Sequence, residues 1–483
     1  MISRTKVLAL VAAAAAQSLT ASALSAQVSA PNSASIGPVL DGPAILTPRT
    51  TQADIVNGVY TLKELRRRGL EMFTTPFNQQ DGHGDGPSGP NPATFGQRPT
   101  TNGTWLRVNG LDSQTCQECH AFLSNATIPP TLGIAGVAGI ANTAFPGVTQ
   151  FDLEDLDANS VAEVNGRLIN PPFLFGAGGV ELVGKQMTVE LQALKAQAQA
   201  NPGSVVSLDT MGVNFGSISY DGITGFDTSN VEGIEDDLAV RPFGRKGEFV
   251  SVRAFDIGAL QFHMGMQAEE LVGTGVDADG DGVVNEVLTG ELSAMHVFGV
   301  TLEKPIEVQR KDAGVRAGRQ LFLSTGCANC HTPLFQTTDT ALTLAFPEVP
   351  TDPSANVFMS ISLTDKAPGF RRNRVGGVTV PMYSDLKLHD MGPALAETTG
   401  NPEVDPLFIT PRLWGVSDTA PYLHDGRALT VRDAINAHAG EGQGANDNFN
   451  LLSGADQDNL LTFLNSLRTP TNPAKGISTP VRR

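Results

Sequence analysis

The sequence is poor in cysteine and aromatic residues, has no excess of basic charge, and has no long apolar run in its interior. It contains four cysteines among 483 residues, 6% aromatic residues, and 33 basic against 50 acidic side chains. A net charge of −17 argues against nucleic acid as a partner. After the N-terminus, no stretch reaches the roughly 18 apolar residues that a membrane span requires. The 51 glycines and 31 prolines predict long ordered loops between short helices.

The N-terminal residues are typical of a secretory signal peptide. Arg4 and Lys6 precede an apolar, alanine-rich run over residues 7–16, and small residues follow. The sequence leaves cleavage open between Ala23, Ala26 and Ala30. With the signal assigned to residues 1–26, we expect the mature chain in the periplasm, without a membrane span.

All the cysteines lie in two copies of Cys-x-x-Cys-His, which read Cys116-Gln-Glu-Cys119-His120 and Cys327-Ala-Asn-Cys330-His331. This spacing is the signature of c-type haem attachment. The two thiols form thioethers to the haem vinyl groups, and the adjacent histidine binds the iron from the proximal side. We therefore predict two covalent c-type haems with proximal His120 and His331. Two disulfides, or a zinc site that would need both pairs close in space, are the alternatives.

The motifs divide the chain into a predicted order of segments. Residues 27–58, rich in Pro, Ser and Ala, are expected to form an extended lead-in. The first haem domain is predicted over 59–300 and the second over 301–470, followed by a tail over 471–483.

Apolar periodicity and capping residues predict several helices within these domains. They span Thr61–Met72, 186–200 and Lys311–Ser324, with two more after the capping residues Thr430 and Ser453. Gly440 is a plausible stop for the helix that starts after Thr430, and His438 would share a face of that helix with Val431 and Ile435. Residues 203–255, with short apolar alternations, predict a few strands.

Four segments carry a family resemblance. Thr410-Pro-Arg-Leu-Trp-Gly-Val-Ser-Asp-Thr-Ala-Pro-Tyr-Leu-His-Asp-Gly-Arg427 resembles the C-terminal signature of bacterial di-haem cytochrome c peroxidases. Finer matches resemble the di-haem oxidoreductase ("thiol oxidoreductase") branch of that superfamily. They are Phe73-Thr-Thr-Pro-Phe77, Tyr383-Ser-Asp-Leu-Lys-Leu-His-Asp-Met-Gly392 and Ala437-His-Ala-Gly-Glu441. The resemblance covers roughly residues 60–470. Its motifs are specific for the superfamily and weak for the substrate.

The resemblance implies a mainly α fold, in which two cytochrome-c-like haem domains are joined by long loops with a few short strands. Rubber oxygenases and the enzyme that matures tryptophan tryptophylquinone are similar in layout. In this family the second haem is expected to be six-coordinate and low-spin, and the first haem is expected to be the reactive one.

The distal ligand of the second haem is expected, from the family, in the C-terminal region. After Met391 the sequence has no methionine or cysteine, and its only tyrosine is Tyr422. The remaining strong ligands are His424 and His438. The position of His438 in the predicted helix favours it, whereas His424 is expected to bind a loop or a haem propionate. A surface histidine near a helix C-terminus is the alternative for His438.

Two residues are candidates for proton transfer or ligation at the first haem. Glu181 follows a glycine-rich turn between apolar residues, an environment expected to raise its pKa. Similar segments of the family carry a glutamate there, which implies that Glu181 serves as the acid–base group in peroxide cleavage. His263 is a second candidate, either as a ligand or pocket residue or as a packed core histidine.

An acidic loop between the haem motifs has the spacing of a calcium site. Asp277, Asp279 and Asp281 occupy positions 1, 3 and 5 of an EF-hand-like pattern, but position 12 is Leu288. We predict a calcium site in which Glu291, or else Glu286, replaces the missing glutamate. A solvated acidic turn is the alternative.

The function predicted from these features is that of a periplasmic di-haem oxidoreductase. It would reduce or use hydrogen peroxide with electrons from a small donor protein of the cytochrome c or cupredoxin type. Trp414 is a candidate relay between the haems. The competing hypotheses are an oxygenase of the rubber-oxygenase type, which would bind oxygen, and a non-enzymatic electron carrier.

Overall fold

The computed structural model describes residues 48–84, 170–397 and 401–471, together with a few isolated positions: Ala44, Leu46, Thr115, Cys116, His120, Leu153–Glu154 and Glu163–Val164. The chain divides into the units Met1–Pro43 and Ala44–Arg483, and every described residue belongs to the second. The predicted signal peptide, most of the predicted lead-in, Cys119 and nearly all of the predicted tail lie outside the described residues. The predicted domain boundary near 300 stays a prediction.

Helices form the framework that positions the two haem motifs. In chain order they are α1 (Gln52–Val56), α2 (Leu62–Thr74), α3 (Ala177–Ala200), α4 (Val252–Met264), α5 (Glu269–Val272), α6 (Thr289–Val300), α7 (Ala313–Ser324), α8 (Val431–Asn436), α9 (Gln443–Leu451) and α10 (Gly454–Leu464). Short 3₁₀ turns lie at Gln79–Asp81, Cys327–Asn329, Val416–Asp418 and Gly440–Gly442.

Two close helix pairs, α2 with α6 and α7 with α10, each depend on a glycine at the crossing. A Cβ atom at Gly69 of α2 would lie 2.1 Å from the carbonyl oxygen of Ala294. A Cβ atom at Gly318 of α7 would lie 1.9 Å from the carbonyl oxygen of Asn459. Real Cβ atoms cannot approach this closely, so glycine permits the short interaxial distance. The second pair supports the segment that carries Cys327.

The strands are short and form small antiparallel sheets. In chain order they are β1 (Leu153–Glu154), β2 (Glu163–Val164), β3 (Val205–Thr210), β4 (Val213–Tyr220), β5 (Phe226–Asp227), β6 (Ile306–Glu307), β7 (Phe335–Gln336), β8 (Ala341–Ala345), β9 (Val357–Ser362), β10 (Arg371–Arg372), β11 (Val378–Val380), β12 (Leu388–Asp390), β13 (Leu407–Ile409) and β14 (Leu467–Arg468). The sheets are β3-β4-β5, β10-β11-β7, β1-β2, β8-β9, β12-β13 and β14-β6.

The expected mainly α fold is wrong. Of the residues that the structure describes, 35% are helical and 15% lie in strands. Strands β3 to β5 lie in the region predicted to contain strands, and β3 alternates strictly between exposed and buried residues. The strands between 335 and 409 are the unexpected ones, because runs of two to six residues between glycines and prolines show too few alternations to reveal a period.

The predicted helices are present, with shifted ends. Thr61 caps α2 in a capping box with Glu64, and Ser453 caps α10. Helix α3 begins at Ala177, ahead of the predicted segment 186–200, because its first turns are glycine-rich and carry little helical signal. Helix α8 ends at Asn436, so the expectation that His438 lies on its face is wrong. His438 instead follows the helix.

The buried side chains form several apolar clusters. The largest joins α3 to strands β3, β4, β8 and β11. A second lies around α7 and α10 and includes the half-buried Cys327. Two more lie between α2, α4 and α6, and both contact Cys116. In the described part of the chain, no helix combines the length and apolar character needed to cross a bilayer.

Candidate haem sites

The second Cys-x-x-Cys-His motif is held rigidly at the end of α7. Gly326, in a left-handed conformation with φ of 91°, turns the chain from the helix into the Cys327–Asn329 turn. The backbone N–H of His331 donates to the carbonyl of Cys327 at 3.0 Å. The Nδ1 atom of His331 hydrogen-bonds to the carbonyl oxygen of Tyr383 at 3.0 Å. Because this bond fixes the proton on Nδ1, the Nε2 lone pair is left for a metal.

His438 lies close to His331. The ring centroids are 6.4 Å apart, with 57° between the ring planes. An iron held between two imidazoles by metal–nitrogen bonds of about 2.0–2.1 Å would place the ring centres roughly 6.3 Å apart. The Nδ1 atom of His438 also donates to a backbone carbonyl, that of Ala434, at 2.7 Å. The pair therefore fits the two axial positions of one haem.

Both imidazoles are in the neutral form that ligation requires. Burial and the neighbouring His438 together lower the pKa of His331 to about 4. Burial also lowers the pKa of His438, although its bond to Ala434 opposes the shift. A metal binds only the deprotonated nitrogen, so these environments favour iron over protons.

His424, the alternative axial ligand, is held elsewhere. Its ring stacks on Phe408 with centroids 4.4 Å apart and 26° between planes. The ammonium group of Lys246 lies 3.6 Å from the centre of the same phenyl ring. The carbonyl of His424 accepts the backbone N–H of Asn170 at 2.7 Å. His424 thus packs into the loop that precedes α3, and the geometry supports His438 as the axial residue.

A charged histidine lies beside the second attachment motif. His389 bonds to Asp385 at 2.8 Å through Nε2 and to Glu441 at 2.7 Å through Nδ1. The Sγ atom of Cys330 is 3.9 Å from Nδ1 of His389. Burial alone lowers the pKa of His389, but the bonds to the two carboxylates raise it to about 11. Asp385 and His389 lie in one of the segments that carry the family resemblance and Glu441 in another, and no sequence pattern indicated that they meet.

The first motif repeats the arrangement of the second. The N–H of His120 donates to the carbonyl of Cys116 at 2.9 Å, and its Nδ1 bonds to the carbonyl oxygen of Pro172 at 2.8 Å. The ring of His120 lies 6.4 Å from that of Phe73 and 6.3 Å, edge-on, from that of Phe255. Burial lowers the pKa of His120. This imidazole is therefore also neutral, with Nε2 left for iron.

Glu181 is fully buried in the first turns of α3 and carries its charge. Its Oε1 accepts from Lys185 at 2.8 Å, and its Oε2 accepts from the backbone N–H of Val252 at 3.0 Å. The Nε2 atom of His296 is 2.9 Å and 3.0 Å from the two oxygens. Burial would raise the pKa of Glu181, but His296 and Lys185 together lower it below its ordinary value. The expected raised pKa is therefore wrong.

Sequence reasoning missed His296, because its partner Glu181 lies on another helix, and it also missed Lys185. His296 lies in an apolar stretch of α6, which resembles an ordinary buried helix segment. The spacing of Glu181 and Lys185, four residues apart on a helix, was the one available signal. His263 is half-buried in the last turn of α4, the helix whose first turns contact Glu181 and His120.

The acidic loop brings its three aspartates together. Carboxylate oxygens of Asp277, Asp279 and Asp281 all lie within 4.8 Å of one another, and Asp279 is fully buried. Glu291 does not complete this group. It pairs with Arg49 at 2.5 Å and 2.8 Å and accepts the N–H of Leu288.

Glu286 is the glutamate that interacts with the acidic loop. Its Oε2 accepts the N–H of Gln267 at 2.7 Å. Burial, together with the charges of the three aspartates, raises the pKa of Glu286 to about 10, although the hydrogen bond from Gln267 opposes the shift. Of Glu286 and Glu291, the two glutamates considered from the sequence, Glu286 is thus the better placed to complete the calcium site.

Trp414 lies along a chain of contacts between the two proximal histidines. The carbonyl oxygen of Pro172 accepts the hydrogen bond from His120, and Phe173 is the next residue. The ring of Phe173 contacts Gly415, where an added Cβ atom would lie only 2.9 Å from the ring. On the other side of Trp414, the N–H of Leu413 donates to the carbonyl of Met382 at 3.1 Å. The next residue, Tyr383, accepts from His331. The indole is 2% exposed.

Comparison with known proteins agrees with this arrangement. Residues 357–467 match the family model described as "Di-haem oxidoreductase, putative peroxidase". This confirms the resemblance to the di-haem peroxidase-type superfamily. The matched segment contains Tyr383, His389 and His438. No curated protein matches the sequence significantly.

Two solved structures share local similarity with the chain. One is a MauG-like protein associated with microbial copper homeostasis, with 14% identity and a TM-score of 0.29, covering 64% of this chain and 93% of that one. The other is hydrazine synthase of Kuenenia stuttgartiensis, determined under xenon pressure, with 15% identity and a TM-score of 0.27, covering 62% of this chain and 90% of that one. TM-scores this low do not establish a shared overall fold.

Proposed function

We propose that this chain, a di-haem oxidoreductase of the peroxidase-type superfamily, is a periplasmic enzyme that reduces hydrogen peroxide or uses it to oxidise a substrate. Its electrons would come from a small cytochrome c or cupredoxin. The observation that carries the proposal is the 6.4 Å separation of the His331 and His438 rings. Two axial imidazoles suit a six-coordinate haem that passes electrons and binds no substrate, which leaves the site at His120 for peroxide.

The residues around each motif would hold covalent c-type haem. Cys327 and Cys330 are half-buried thiols on the turn that presents His331, and Cys116 precedes His120 in the same way. Iron bound there supplies one-electron chemistry and a site for peroxide cleavage. The protein's own contribution is to keep the imidazoles neutral and oriented through the carbonyls of Tyr383, Pro172 and Ala434.

Proton transfer at the first haem would involve Glu181. The reduction of peroxide consumes two protons and two electrons and forms two molecules of water. A group beside the reacting oxygens must therefore take a proton from one oxygen and give it to the other. Glu181 is connected to the surroundings of His120 through Val252, because Phe255, one turn later in α4, contacts the His120 ring.

Electron transfer between the haems would follow the contacts around Trp414. The path runs from the carbonyl that orients His120, through Phe173 and Trp414, to the carbonyl that orients His331. Every link is a covalent bond, a hydrogen bond or the close contact between the half-buried ring of Phe173 and Gly415. The acidic net charge of the protein suits a basic donor protein, whose approach would be accelerated at low ionic strength.

A calcium ion would be held by Asp277, Asp279 and Asp281. Hard divalent cations prefer carboxylate oxygens, and three such oxygens within 4.8 Å can share one ion. The full burial of Asp279 supports a site over a solvated acidic turn, in which the carboxylates would be exposed to water. Calcium would thereby support the segment between α5 and α6, close to Cys116.

The function is tested on exported, purified protein. Intact mass should exceed that of the mature polypeptide by two haems, and half-reduced protein should consume hydrogen peroxide with a reduced cytochrome or cupredoxin as donor. Optical and EPR spectra should show one low-spin haem and one that is or becomes high-spin. A stable adduct with oxygen and cleavage of an apolar substrate would instead indicate an oxygenase. Two haems that bind no added ligand would indicate an electron carrier.

A further inference from the structure

His389 joins the two segments that supply the histidines of the second haem site. Its Nε2 bonds to Oδ2 of Asp385 at 2.8 Å, and Asp385 lies two residues after the tyrosine whose carbonyl orients His331. Its Nδ1 bonds to Oε2 of Glu441 at 2.7 Å, and Glu441 lies three residues after His438. One imidazole therefore connects the proximal segment of this site to its distal segment.

The proximal segment has a backbone that needs support. Tyr383 and Leu386 adopt left-handed conformations with φ of 58° and 62°, which bulky side chains rarely do. Between them, Ser384 donates through its N–H and its hydroxyl to two backbone carbonyls, at 3.1 Å and 2.6 Å. Strained conformations persist only where several contacts fix them, and they concentrate at functional sites. The bond between His389 and Asp385 is one of these contacts.

The distal segment is held by the same imidazole through Glu441. The second oxygen of this side chain, Oε1, accepts the backbone N–H of Asp390 at 3.0 Å, so one carboxylate binds both a side chain and the main chain of β12. The 3₁₀ turn that contains Glu441 packs on His438, because a Cβ atom added at Gly442 would lie 3.2 Å from both Cβ and Cδ2 of His438. The position of the His438 ring thus depends on a turn that is bonded to His389.

The link formed by these three side chains is mostly buried and lies beside the haem attachment motif. The side chains of Asp385 and His389 are 3% and 11% exposed, whereas that of Glu441 is 54% exposed. Nδ1 of His389 lies 3.9 Å from Sγ of Cys330. Hydrogen bonds between charged groups are roughly twice as strong as neutral ones, and burial protects the inner bond from screening. The link is therefore suited to hold the two segments at a fixed distance.

We propose that His389 is a positioning residue that keeps His438 on the iron of the second haem and thereby closes that haem to peroxide and other added ligands. This inference goes beyond the proposed function and rests on its ligation of the second haem by His331 and His438. A six-coordinate haem accepts an outside ligand only after an axial ligand has left. Departure of His438 requires the distal turn to move against the bond between Glu441 and His389.

Carbon monoxide binding to the fully reduced protein tests this role. At the second haem it is limited by the rate at which His438 dissociates, whereas an open first haem binds carbon monoxide rapidly. His389→Gln should raise the limiting rate by roughly 10–100-fold, the factor that corresponds to loss of a hydrogen bond to a charged group. The first haem should keep its wild-type rate. A purely structural role would lower the melting temperature and leave the limiting rate unchanged well below it.

Glu441→Gln examines the distal end of the link. The side chain of Glu441 is half exposed, so the variant should fold, and loss of its charge should also raise the limiting rate. Asp447→Asn is the matched control, because it changes an exposed carboxylate of α9 that accepts from Gln443 at 2.8 Å. It should bind carbon monoxide as the wild type does. An unchanged limiting rate in whichever of His389→Gln and Glu441→Gln folds would overturn the inference.

Failure of this inference is distinguishable from failure of the proposed function. A wild-type protein in which both haems bind carbon monoxide rapidly would refute ligation by His438, on which the proposed function depends. A slow phase that His438→Ala abolishes, but that the variants of His389 and Glu441 leave unchanged, would refute the role of His389 alone. Because the measurement needs no turnover, a protein that consumes no peroxide can still confirm that role.

Discussion

At the scale of single residues, the three imidazoles that we propose as iron ligands share one feature: each donates its Nδ1 proton to a backbone carbonyl. His120, His331 and His438 use the carbonyls of Pro172, Tyr383 and Ala434. Because a backbone carbonyl cannot titrate, it fixes the tautomer at every pH. The orientation of each ring is thus set by the fold of a loop and not by another ionisable side chain.

The opposition of His331 and His438 predicts a specific spectroscopic change. His438→Ala should convert the second haem from low-spin to high-spin, because it removes one of two strong-field axial ligands. EPR of the oxidised protein measures this change. His424→Ala, which alters a histidine stacked on Phe408, is the matched control and should keep the low-spin signal. Loss of the low-spin signal in His424→Ala, with the signal kept in His438→Ala, would instead identify His424 as the axial ligand.

His389 predicts a stability effect with a defined pH dependence. Its folded pKa of about 11 lies above the ordinary value of about 6.5, so its contribution is complete below pH 6.5 and declines as pH rises towards 11. His389→Gln should destabilise the protein by about 1.5–3 kcal/mol at pH 6, the usual worth of hydrogen bonds to charged groups. Thermal melting should show a smaller difference at pH 9.5. An equal difference at both values would contradict the charged pair.

At the scale of elements, the pair formed by α7 and α10 supports the second haem motif, and Gly318 is its tightest point. Gly318→Ala should separate the helices and destabilise the protein by about 1–3 kcal/mol, the usual cost of overpacking. Gly454→Ala, in α10 of the same pair, is the control, since a Cβ there meets no atom within 4 Å. The melting temperature, followed by the haem absorbance, should fall for Gly318→Ala and stay unchanged for Gly454→Ala.

The sequence predicted those elements whose signals are local. Thr430 forms the capping box with Asp433 that its spacing indicated, and both haem motifs follow from neighbouring residues. The cluster of Glu181 and His296 could not be predicted, because α3 and α6 meet only through tertiary packing. The end of α8 was also not predicted. The residues expected to form its last turn belong instead to a loop in which Gly440 adopts a φ of 52°.

At the scale of the whole molecule, the acidic loop between the two haem motifs should couple calcium to stability. A ligand that binds only the folded protein at 100 times its dissociation constant stabilises it by about 2.7 kcal/mol. Removal of calcium should therefore lower the melting temperature by several degrees.

The loop precedes α6, which packs on α2 and carries His296, so loss of calcium should also disturb the first haem more than the second. Calorimetric titration of demetallated protein and paired melting curves measure both effects. Asp279→Asn, which preserves shape but removes the buried charge, should abolish the calcium response. Asp339→Asn, which changes an exposed aspartate outside the loop, should preserve that response. An identical melting curve with and without chelator in the wild type would leave the loop a plain acidic turn.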